Sequence, residues 1–154
     1  MATLKISDLS VGDWVRWGER NVQIAEIGQL VYSFGSRKID FDNRVTLRYK
    51  ENIPVYCESV MLADLEPIPI TAEILEKNGW VFHKGSRWWV CEIDKDTRAN
   101  VWLGENGGCR VEVSVMYGEL RTWSNYADVK LANAHIHLLQ HALRLAGVEK
   151  EINL

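Results

Sequence analysis

Three of the four histidines, His135, His137 and His141, fall within seven positions, in AHIHLLQHALRLAG (134–147). His137 and His141 are four apart, the spacing with which one side of a helical turn offers two imidazoles to a metal ion. The metalloprotease form of that spacing also needs a carboxylate between the histidines as general base, and here Leu138, Leu139 and Gln140 intervene. No third ligand is signalled nearby. No metal is expected at this pair, and His135 is expected to be a core-edge histidine with a hydrogen-bond partner.

Other reactive groupings are thin. No nucleophile elbow of the form GxSxG, no phosphate-binding P-loop and no GxGxxG turn occurs. The acidic stretches DFDN (40–43) and DKD (94–96) lack the glycine and the terminal glutamate of a calcium loop. Cys57, Cys91 and Cys109 form no CxxC pair and sit in strand-like runs, where a reduced thiol behaves as a small apolar group. The expectation is a protein that is not an enzyme, with no catalytic residue, no metal and no cofactor.

Composition narrows the partners. Of the 154 residues, 47% are hydrophobic and 25% charged, ordinary for a globular chain, and the net charge is −3. Residues 1–66 carry 8 Lys/Arg against 10 Asp/Glu, and residues 67–154 carry 10 against 11, so neither half has the positive field of a nucleic-acid module. Nucleic acid is disfavoured as a partner, although an N-terminal barrel acting on nucleic acid is the alternative function. The N-terminal residues lack the basic flank and apolar run of a signal peptide, and no apolar stretch approaches a membrane span. A cytoplasmic location is expected.

The elements that must position these residues divide in two. Residues 1–66 read as short strands with no helix signal: Trp14–Trp17, 21–27, 30–34 after a Gly28-Gln29 turn, 45–49 after a polar loop over 35–44, and 55–62. Such a run suggests an SH3-like β-barrel. Pro67 and Pro69 then mark a stiff extended connector. Residues 67–154 read as a second, α+β domain of two layers. A short helix is capped by Thr71 and stopped at Asn78-Gly79, and an antiparallel meander of four to five strands follows it. A long C-terminal helix runs from a Ser124 or Asn125 cap to about Ala146. On a wheel of that helix, an apolar arc holds Leu131, Leu138, Leu145 and His135, and the opposite polar arc holds Lys130, His137, Gln140, His141 and Arg144.

Seven tryptophans are the outlier of the composition. Strand alternation places Trp88 and Val90 on one face of the second sheet, with Trp102 and Met116 beside them. The other face holds Trp89, Val101 and the valines of 109–117, under the helix. Trp88, Val90, Trp102 and Met116 are the candidate partner-binding residues. The N-terminal barrel, a protein partner or a second copy of the chain would cover them.

Three stretches, DLSVGDWV near the start, EPIPITAEILEKNGW at the junction and HLLQHALRLAGVEKEI at the end, resemble a family of small uncharacterised proteins encoded by phages, prophages and mobile elements of gut bacteria. Members read close to IPLTPEILEKNGF and YVHQLQHALRLCGI, which correspond here to 68–80 and 135–148. The central histidine of that pattern matches His137. The resemblance implies an architecture and a setting rather than a reaction. It fits an accessory or adaptor protein that works by binding another protein.

Overall fold

A five-stranded antiparallel sheet in the order β4-β3-β2-β1-β5 is curled into a half-barrel and forms the first part of the chain. Its strands are β1 (Trp14–Trp17), β2 (Arg20–Phe34), β3 (Arg37–Arg48), β4 (Cys57–Met61) and β5 (Leu65–Pro67). The structure is a computed structural model and describes residues 4–34, 37–48, 57–117 and 122–154. Contacts divide the chain into two units, Met1–Ile68 and Pro69–Leu154.

In the first unit alternation buries Val15, Val22, Ile24, Val45, Leu47, Val60 and Leu65 against Leu4 and Leu9. The expected Gly28-Gln29 turn is not a turn. β2 runs straight through it, and the pairing with β3 slips by one residue between Gly28 and Leu30. Glycine inside a strand marks a bulge as readily as a hairpin, and here the bulge wins. The polar stretch expected as a loop accordingly pairs as β3, from Arg37↔Phe34 to Arg44↔Gly28. Pro67, read as connector, pairs with Val15 and so belongs to the sheet. Pro54 and the start of the last expected strand, 55–56, lie outside the described residues.

The second unit opens with helix α1 (Ala72–Lys77). The Thr71 hydroxyl accepts from the Ile74 N–H at 3.2 Å, and Gly79 at φ +85° lets the chain leave the last turn. A second five-stranded antiparallel meander follows, in the order β10-β9-β8-β7-β6. Its strands are β6 (Val81–His83), β7 (Trp88–Glu92), β8 (Thr97–Leu103), β9 (Cys109–Tyr117) and β10 (Thr122–Leu131). Helix α2 (Ile136–Leu145) closes the chain against β9.

The long C-terminal helix is therefore a correction. Residues 122–131 form β10, paired with β9 from Thr122↔Tyr117 to Leu131↔Cys109, and only ten residues are helical. A nine-residue β9 would otherwise present a row of unpaired backbone groups along one edge. Tertiary pairing overrides the helical reading of the segment. With the helix shortened, its buried stripe turns: Ile136, His137, Leu139, Gln140, Ala142 and Leu143 face inward, while Leu145 is 83% exposed. His137 and Gln140, expected on the solvent side, lie inside. His135 stands at the N-cap, outside the helix, without a side-chain capping bond. The imidazoles of His135 and His137 stack at 5.6 Å, and His141 meets His137 edge-on at 6.4 Å. Among the described residues no helix is long and apolar enough to cross a membrane.

Candidate functional site

Alternation along β6–β10 gives the second sheet two chemically different faces. Trp89, Cys91, Ala99, Val101, Cys109, Val111 and Val113 are buried on the α2 side, with the Phe82 ring 5.1 Å from Trp89. The opposite face carries Trp88 and Val90 from β7, Arg98, Asn100 and Trp102 from β8, and Arg110, Glu112, Ser114 and Met116 from β9. β10 adds Lys130, Asp128, Asn125 and Trp123 at register positions opposite those of β9.

Among the described residues, two cavities indent this outer face. The larger, about 520 Å³, is lined by Trp88, Trp102, Gly108, Cys109, Arg110, Lys130 and Leu131. The smaller, about 250 Å³, is lined by His83, Ser86, Val90, Arg98, Asn100 and Glu112. Trp88 belongs to both. Trp102 is 38% exposed and Trp88 and Val90 are half-buried, so apolar surface meets solvent on this face. Gly104 keeps room for the Trp102 indole: a Cβ there would lie 3.0 Å from Cζ3 of the ring.

The charges of the face cancel. Arg110 donates from Nε and Nη2 to the two carboxylate oxygens of Asp128 at 2.8 and 2.7 Å, and its Nη2 lies 2.8 Å from Glu112. The guanidinium hydrogen bond holds the Asp128 carboxyl below the ordinary carboxylate range. In the register Arg98 lies opposite Glu92, Arg110 opposite Lys130 and Glu112 opposite Asp128, so these positions of the face hold three cations and three carboxylates.

The middle of the face is a polar ladder. The Ser114 hydroxyl donates to Asn125 Oδ1 at 3.0 Å and accepts from Asn100 Nδ2 at 3.2 Å. That direction leaves Asn100 Oδ1 as an acceptor, and it is buried with no partner. Arg98 Nε is likewise buried with no partner, while the guanidinium lies 4.3 Å above the Trp123 ring. The two residues that carry this unmet donor and unmet acceptor both line the smaller cavity.

Of the four candidate residues, Trp88, Val90 and Trp102 share this recessed surface. Met116 sits at the far end, opposite Trp123, and lines neither cavity. Arg98 and Asn100 share strand parity with Trp102, a signal that pointed to them without marking them as site residues. Lys130 escaped because its segment reads as helix. His83 and Ser86 entered through the β6–β7 turn, where Arg87 takes φ +62° and its N–H donates to the His83 carbonyl at 2.8 Å. Among the described residues no group of three His, Cys, Asp or Glu side chains is placed to hold a metal ion. Burial pushes the Cys109 thiol up to about 11, which keeps it protonated. No family model, curated protein or solved structure matches the chain.

Proposed function

We propose that the chain is a non-enzymatic accessory protein that binds a protein partner through the outer face of its second sheet. The observation that carries this reading is the pair Trp88 and Trp102, which line one cavity of about 520 Å³ on the sheet face opposite the buried, α2-side layer. Tryptophans at the centre of a recessed patch supply large contact area at low entropic cost, and they dominate binding energy where interfaces have been dissected. The cancelled charges favour a protein surface over a phosphate backbone, which needs a surplus of cations. The curled first sheet reads as an SH3-like barrel that serves as scaffold, and a cytoplasmic, phage or mobile-element setting agrees with the sequence resemblance.

Affinity capture with the full chain as bait tests the reading. A specific prey held by the wild type and lost with Trp88→Ala or Trp102→Ala is the expected result. Equal recovery with both variants overturns it. So does turnover of a substrate by the purified protein that a single polar substitution abolishes.

A further inference from the structure

We infer that the smaller cavity recognises the carboxamide of an asparagine or glutamine side chain on an extended, uncharged peptide whose apolar residue two positions away enters the Trp88–Trp102 cavity. The inference rests on the partner-binding reading and names the chemistry of the partner.

The starting point is the pair of unmet groups. Asn100 is 6% exposed, its amide orientation is set by Ser114 and Asn125, and its Oδ1 has no donor. Arg98 Nε, two residues along the same strand, has no acceptor. Leaving such groups buried and unpaired is costly, so a ligand that supplies both counterparts gains more than an apolar one of equal size. A carboxamide carries an N–H donor and a C=O acceptor on one small planar group. A carboxylate offers acceptors only. It would meet Asn100 Oδ1 and the Glu112 carboxylate with repulsion, although Arg98 would attract it. An aliphatic side chain pairs neither atom.

Spacing supplies the second half. Asn100 and Trp102 lie two residues apart on one face of β8, which is about 6.6 Å along a strand. Alternate side chains of an extended peptide have the same separation. A peptide lying along β8 thus presents one side chain to each cavity, in the order amide-x-apolar or its reverse. The balanced charges of the face select an uncharged segment.

The test uses immobilised full-length chain and three pools of acetylated, amidated heptapeptides. Each pool has a fixed Phe two positions from a fixed Gln, Glu or Leu, in both orders, with the remaining positions randomised among uncharged residues. The Gln pool is expected to be retained about tenfold more strongly than the Glu and Leu pools. That preference should disappear in Asn100→Leu and in Arg98→Lys, which keeps the charge and removes the Nε donor. Thermal melts establish that each variant is folded, and Arg98→Lys carries the test if Asn100→Leu unfolds. Equal retention of all pools, lost in Trp88→Ala, overturns the carboxamide inference and leaves the docking face standing. A Gln preference that survives in a folded variant also overturns it. Failure of every pool to bind, or binding that ignores Trp88→Ala, overturns the docking face as well.

Discussion

Asn78 holds the backbone of Asn153, 75 positions later, with both ends of its side-chain amide: Nδ2 donates to the Asn153 carbonyl at 2.8 Å and Oδ1 accepts from its N–H at 2.7 Å. The same Nδ2 donates to the Ile74 carbonyl at 2.8 Å, so one residue ends α1 and fastens the C-terminal segment. Ile152, next in line, is buried. Asn78→Ala should lower stability by about 2 kcal/mol. For a unit of this size that is a drop of about 8–16 °C in Tm. A melt by circular dichroism checks it. A Tm within a degree of the wild type would show that the clasp contributes nothing.

The His135 imidazole lies below its ordinary pKa because burial penalises the charged form. The folded chain therefore binds fewer protons at this site than the unfolded chain. Stability is whole above about pH 6.5, the unfolded value, and falls as the pH drops from there toward the lower folded value. Urea midpoints measured between about pH 7.5 and about pH 5 should decrease, and His135→Gln should flatten the decrease. Midpoints that rise on acidification would give the opposite sign to this group.

With its thiol raised from 9.0 to about 11, Cys109 ionises about a hundredfold less than an ordinary cysteine at pH 8, before any steric protection. Alkylation with iodoacetamide followed by peptide mapping should leave Cys109 unmodified in the native chain and modify it in urea. Native labelling at the rate of a free thiol would mean that the buried layer around Cys109 on the α2 side opens to solvent.

Much of the second unit was legible because its signals are local. Thr71 three residues before Ile74 specifies a cap, and strict alternation in 109–117 specifies which face is buried. The same alternation put Trp88, Val90 and Trp102 on one face of the sheet. Residues 124–131 were not legible, because Ser124 and Asn125 look like a helix cap. What decides the segment is the free edge of β9, a feature of the folded sheet. Lys130 was lost from the site with that segment, and His137 was placed on the wrong side of the helix for the same reason. Gly28 illustrates a similar limit: turn and bulge use the same residue, and only the pairing distinguishes them.

Gly104→Ala offers a way to disturb the face without deleting an aromatic ring. The new methyl would press on the Trp102 indole at 3.0 Å from Cζ3, and the ring must move. Peptide retention should fall at least about threefold while Tm changes little, because Trp102 is on the surface. Unchanged retention would show that the Trp102 orientation does not matter to binding.

The central claim is that Trp88 and Trp102 are where a partner docks, and the indole N–H region of a proton–nitrogen correlation spectrum reads it most directly. Seven tryptophans give up to seven signals, assignable by single Trp→Phe variants. On titration with the best-retained peptide, the signals of Trp88 and Trp102 should move first and furthest, while those of the buried Trp14 and Trp80 stay in place. Stationary Trp88 and Trp102 signals at saturating peptide, with shifts confined to tryptophans elsewhere, would contradict the account.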